Sequence, residues 1–128
     1  MLTVRELVDK QEMINNISVL QVLYPSLTLE EYEAELDQML PHNYGQVGVF
    51  DGEDCLGISG FWIGTKLWCG KYLELDNIIV TEKKRGQGIG KLIFDFPKNL
   101  NPYIFANKTD KVFGLVLRLA SFARICIY

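Results

Sequence analysis

Apolar positions along this chain change period several times, and each change marks an element. Leu2 to Leu7 alternates well enough to predict a first strand. Between Asp9 and Leu23, Met13, Ile17 and Leu20 recur at helical spacing, which predicts one helix ended by Tyr24-Pro25-Ser26. Thr28-Leu29-Glu30-Glu31 reads as a capping box, because the threonine hydroxyl can accept from the third backbone N–H while Glu31 reaches back. The helix it opens runs to about Met39, with Leu29, Tyr32, Leu36 and Met39 on one face, and Pro41 ends it. Period two then returns. Gln46 to Phe50 predicts a strand, Asp51-Gly52-Glu53-Asp54 a hairpin turn, and Cys55 to Ile63 the returning strand. Gly64-Thr65-Lys66 predicts another turn, and Trp68-Cys69-Gly70 leads into a strand over Tyr72–Val80. A helix is expected from about Gly88. The order is β-α-α-β-β-β-loop-α, an α/β (α+β) arrangement.

The stretch between the last strand and the last helix holds three glycines, Gly86, Gly88 and Gly90, in Arg85-Gly-Gln-Gly-Ile-Gly-Lys91. Bare backbone lets a loop curl around an anion with successive N–H groups pointing inward, and Arg85 and Lys91 add charge. Two common phosphate loops fail on spacing. A P-loop needs glycine where Arg85 stands and Ser or Thr where Leu92 stands. The dinucleotide fingerprint needs its third glycine at Lys91 or Ile93. What remains is Arg85-x-x-Gly88-x-Gly90 between strand and helix, a seat for a pyrophosphate that needs no metal.

That segment, with the element order before it, resembles the acetyl-CoA loop of the GNAT N-acetyltransferase superfamily, whose signature is [R/Q]-x-x-G-x-[G/A]. The resemblance covers about residues 1–96. It implies the GNAT-type acyl-CoA acyltransferase fold, a mixed, mostly antiparallel sheet flanked by helices. It also implies that acetyl-CoA is the co-substrate and that an acetyl group goes to a primary amine of a small molecule or a protein. By the same resemblance, Arg85, Gly86, Gln87, Gly88, Ile89, Gly90 and Lys91 form the pyrophosphate loop, and the edge of Ile78, Ile79 and Val80 pairs with the pantetheine arm. The family's acidic strand position falls on Asp76, which is thereby the candidate general base, directly or through water. Glu74 lies two residues earlier, on the same face of a regular strand, where a like charge would raise one pKa and help a base; the other reading of Asp76 is a solvated or hydrogen-bonded strand acid that shapes the amine pocket.

The last third departs from the family. Pro97 cuts the final predicted helix after about two turns. Val112 to Leu117 can supply one more strand, but Ala120 to Tyr128 reads as a single short element, so the family's C-terminal hairpin is not expected in this sequence. The late-helix tyrosine that serves many members as general acid has no counterpart. An alternative is therefore a catalytically impaired module that binds CoA or a partner chain only. An uncovered apolar edge around Phe113, Leu115, Leu117, Phe122 and Ile125 leads us to expect a homodimer.

Bulk properties narrow the field further. A chain of 128 residues is expected to form one domain, 1–128. With a net charge of −3 and no long basic run, nucleic acid is not an expected partner. Cys55, Cys69 and Cys126 are far apart and only His42 could join them, so no metal site and no disulfide framework is expected. The charged N-terminal residues and the two arginines in the apolar C-terminal segment argue against a signal peptide and a membrane span, and a cytoplasmic protein is expected. Glu30, Glu31, Glu33 and Glu35 make an acidic helix that could border a cationic substrate, but a solvated face is the expectation.

Overall fold

The computed structural model describes residues 1–67 and 70–96. Four strands, β1 (Leu2–Leu7), β2 (Tyr44–Asp51), β3 (Asp54–Lys66) and β4 (Gly70–Val80), form one antiparallel sheet in the order β1-β2-β3-β4. Three helices, α1 (Lys10–Asn15), α2 (Ile17–Leu20) and α3 (Leu29–Met39), fill the β1–β2 connection, and α4 (Ile89–Asp95) follows β4.

Helices cover both faces of the sheet, which explains why its inner strands are apolar on both sides. One face buries Leu7, Phe50, Ile58 and Ile79 against Met13, Val19, Tyr32 and Leu36 of α1–α3. The other buries Val47, Leu73, Leu75, Ile78 and Val80 against Ile89 and Ile93 of α4. Gly57 of β3 lets α4 sit close, since a Cβ there would stand 2.9 Å from the Ile89 side chain and 3.0 Å from the Ile79 carbonyl oxygen.

β1 has the expected bounds, and the capping box is complete. Thr28 Oγ1 accepts from the Glu31 N–H and the Glu31 carboxylate accepts from the Thr28 N–H, both at 3.1 Å. The hairpin turn is also present, with Gly52 at φ 62° between Asp51 and Asp54.

Three expectations need correction. The single helix over Asp9–Leu23 is two short ones. Asn16 Nδ2 donates to the Glu12 carbonyl at 2.8 Å and takes an acceptor that a continuing helix would use. Gly64-Thr65-Lys66 is not a turn, because β3 runs through it and Gly64 pairs with Tyr72. Glycine is there to make room, as a Cβ would meet the Tyr72 hydroxyl at 2.6 Å. Leu29 is not on the buried face of α3 but 57% exposed, since the first turn of the helix projects beyond the core. The expected strand Val112–Leu117, the element Ala120–Tyr128 and the proposed dimer edge lie outside the described residues. α4 ends at Asp95, two residues before Pro97.

Candidate active site

β4 carries an irregularity where chemistry was expected. Leu75 pairs with Phe61 and Ile78 with Ser59, so two residues of β4, Asp76 and Asn77, stand opposite Gly60 alone. This is a β-bulge, a device that re-aims side chains. It shifts the alternation: Leu73 and Leu75 before it, and Ile78 and Val80 after it, all bury into the α4 face. Asp76 and Asn77 both border a cleft on the opposite face.

That cleft encloses about 320 Å³. Its floor and walls come from distant parts of the chain. The α2 region gives Leu20, Tyr24 and Leu27; α3 gives Tyr32, Glu35 and Met39 at helical spacing; the sheet gives Tyr44, Gly60, Asp76, Asn77 and Ile79. Side-chain hydrogen bonds fix the tyrosines. Gln46, fully buried, donates from Nε2 to the Tyr32 hydroxyl at 2.6 Å and to the Tyr44 hydroxyl at 3.0 Å. Its Oε1 meets no donor among the described residues. Asn77 Nδ2 donates to the Tyr24 hydroxyl at 2.9 Å, tying the chain after α2 to the bulge. Gly60 makes room for Tyr44, whose hydroxyl would lie 2.7 Å from a Cβ at that position. Burial holds the Tyr32 and Tyr44 hydroxyls above the ordinary tyrosine range; for Tyr44 the nearby Asp76 charge adds to the shift. Both therefore stay protonated at neutral pH. Asp76 on β4 and Glu35 on α3 are both exposed and both border the cleft.

A second cleft, of about 490 Å³, opens where β4 ends. Val80, Lys84, Arg85, Gly86, Gly88, Ile89, Gly90 and Lys91 line it. Gly86 and Gly88 both have φ 79°, a left-handed conformation that glycine adopts without strain, and nothing lies within 4 Å of where a Cβ would be on either. The loop therefore presents bare backbone to open space. Gly88 is the N-cap of α4, and the first helical bond there runs from the Leu92 N–H to the Gly88 carbonyl. The N–H groups of residues 89–91 have no acceptor inside the helix. Lys84, Arg85 and Lys91 make the surroundings cationic.

Most of the sequence-derived candidates thus gather at these two clefts. Ile78 and Ile79 are buried in opposite cores, and Val80 borders the loop cleft. The backbone of all three pairs with β3 on one side and with no described strand on the other. Gln87 keeps its place in the loop, but its side chain does not line the cleft; Nε2 lies 3.5 Å from the Lys83 carbonyl oxygen. Glu74 pairs with Trp62, is exposed, and does not line the cleft beside Asp76. Sequence reasoning missed Lys84, which the run Lys83-Lys84-Arg85 could have signalled, and it missed the Gln46–Tyr32–Tyr44 cluster, which has no local signature. Cys55 donates to the Gly57 carbonyl at 3.5 Å, and burial pushes its thiol up to about 11. Among the described residues no group of three or more His, Cys, Asp or Glu is placed to hold a metal ion, and no helix is long and apolar enough to cross a membrane.

No protein-family model and no curated protein sequence matches this chain. Solved structures do match its fold. A GNAT family acetyltransferase from Staphylococcus aureus aligns with a TM-score of 0.66 at 14% identity, over 80% of this chain and 79% of that one. An aminoglycoside acetyltransferase from an uncultured soil metagenomic sample, solved in complex with trehalose, gives 0.66 at 13% identity, over 96% and 87%. Glucosamine-6-phosphate N-acetyltransferase from Arabidopsis thaliana gives 0.58 at 19% identity, over 77% and 73%. With a bulged β4, a glycine loop and a helix in this order, the chain has the fold of the GNAT acetyltransferases.

Proposed function

We propose that this chain is an acetyl-CoA-dependent N-acetyltransferase acting on a primary amine of a small molecule or a protein. The observation that carries the reading is the pair of clefts bordering one stretch of β4. Asp76 opens on one and Val80 on the other, about 13 Å apart along an extended strand. That is a length an extended pantetheine arm can cover.

Acetyl-CoA supplies the acetyl group as a thioester, whose carbonyl carbon gains a C–N bond as its C–S bond breaks. The chain's own residues account for the rest. Backbone N–H groups at residues 87–91 bind the pyrophosphate, and Lys84, Arg85 and Lys91 balance its charge. Open space at Gly86 and Gly88 lets phosphate oxygens approach the backbone. The outer edge of Ile78–Val80 has hydrogen-bonding groups to offer the pantetheine amides. Asp76, on the bulge, takes a proton from the acceptor ammonium, directly or through one water, so that a neutral nitrogen attacks. The nitrogen loses a second proton as the C–S bond breaks; that one goes to the departing thiolate, and Asp76 releases the first to solvent. Glu74 is farther along the strand and contributes negative potential rather than proton transfer.

Calorimetric titration with acetyl-CoA, followed by a thiol-release assay over a panel of primary amines, tests the reading. Binding with amine-dependent thiol release supports it. Binding with no release over the whole panel would leave a CoA-binding module, and no binding would remove the assigned loop.

A further inference from the structure

On the acetyltransferase reading above, we infer that the acceptor is a compact primary monoamine with an apolar or aromatic body, its ammonium at the mouth of the 320 Å³ cleft between Glu35 and Asp76. Four features converge on that class. The volume is at the lower end of the range for small-molecule clefts, roughly 300–1,000 Å³, so the body is small. Part of the wall is apolar: Leu20, Leu27, Met39 and Ile79 offer no hydrogen bond to a sugar or a polyamine chain. A second charge placed there would be desolvated without a partner.

Charge sets the other limit. Both ionisable side chains of opposite sign to an ammonium, Glu35 and Asp76, are at the rim, and no Lys, Arg or His is among the described lining residues. A phosphorylated acceptor would meet two carboxylates and no cation. Glu35 comes from α3 and Asp76 from β4, so the negative charge bordering the cleft comes from two elements. Tyr24 and Tyr44 add ring faces of the kind that attract an alkylammonium group.

The fourth feature is rigidity. Tyr32 and Tyr44 are held by one buried amide, Gln46, and Tyr24 by Asn77. The aromatic walls are thus held by hydrogen bonds, from buried Gln46 behind the cleft and from Asn77 on its wall. Finally, orientation follows from the layout. Leu20 and Ile79 are buried and both carboxylates are exposed, so the body goes in and the nitrogen stays out, beside the bulge where the thioester would lie.

The test uses the full chain and titrates 2-phenylethylamine, spermidine and glucosamine 6-phosphate separately, without acetyl-CoA, with a parallel titration of acetyl-CoA. The expected result is that 2-phenylethylamine binds at least about tenfold more tightly than either of the others, and that Glu35→Lys weakens it by about tenfold. Glu35 is exposed on α3, so this variant is expected to fold, and its thermal midpoint checks that. Equal or tighter binding of spermidine or glucosamine 6-phosphate overturns the proposal, as does no binding of 2-phenylethylamine or an unchanged affinity in Glu35→Lys. Loss of acetyl-CoA binding alone, with the amine preference intact, sinks the acetyltransferase reading and leaves the ligand class of the cleft standing.

Discussion

The two clefts along β4 are made of different materials. The loop cleft is backbone: two glycines at φ 79°, amides at a helix start, and a few cations around them. The bulge cleft is side chain: three tyrosines, two carboxylates and an apolar wall gathered from Leu20 to Ile79. A backbone site serves any ligand that carries the same anion. A side-chain site discriminates, and its precision depends on the residues that hold its walls, here Gln46 behind the cleft and Asn77 within it. The contrast assigns generic binding to the loop and selectivity to the bulge, and substitutions in each should separate the two functions.

Asp76→Asn gives the largest expected effect. Removing the base lowers turnover by about 10²–10⁴-fold while acetyl-CoA affinity stays near its starting value. Steady-state kinetics beside calorimetry decide it, and an equal loss in both quantities would make Asp76 a binding residue. Gly88→Asp acts on the other cleft. A left-handed backbone and a carboxylate facing phosphate together lower acetyl-CoA affinity by about 100-fold. Affinity for 2-phenylethylamine is predicted to be untouched in that variant, and a matching loss would mean that the two clefts are not separable.

Gln46→Leu tests the support behind the tyrosines. It leaves the buried Tyr32 hydroxyl and the half-buried Tyr44 hydroxyl without their donor, at a cost to stability of about 1–3 kcal/mol. Amine affinity should fall and acetyl-CoA affinity should not. A stability change within experimental error in urea unfolding would contradict the role given to Gln46.

The smallest effect is on pH dependence. Burial raises both Tyr32 and Tyr44 above the ordinary value of 10.0, so the folded state prefers the protonated form. Their contribution is fully present below pH 10.0 and is lost as pH rises through the higher folded values, because the unfolded chain ionises first. Thermal melts from about pH 8 to pH 11 should show stability falling only at the alkaline end, and more so in Gln46→Leu, because the Gln46 hydrogen bonds oppose the upward shift of both tyrosines.

The same contrast governs what could be read from the sequence. The loop was legible because backbone conformation is written locally: Arg85, Gly86, Gly88 and Gly90 are contiguous, and a positive φ demands glycine. The capping box at Thr28–Glu31 and the Asp51–Asp54 turn were legible for the same reason. The bulge cleft was not. Asp76 was found only through family resemblance, and nothing near Gln46 announces that its amide reaches Tyr32 on another element. Glycine also misled where its role was steric. Gly64 makes room for Tyr72 across the ladder, and the sequence does not distinguish that from a turn. Asn16 ends α1 through one side-chain bond, while the apolar spacing of Met13, Ile17 and Leu20 continues past it unchanged.

The central claim is that the loop and the outer edge of β4 form one cradle for a single ligand. Amide hydrogen exchange of the full chain, with and without saturating acetyl-CoA, measures this most directly. The account predicts joint protection of residues 78–80 and 86–91, with little change in β1 and α1. Protection at the loop without β4, or at neither, would contradict it.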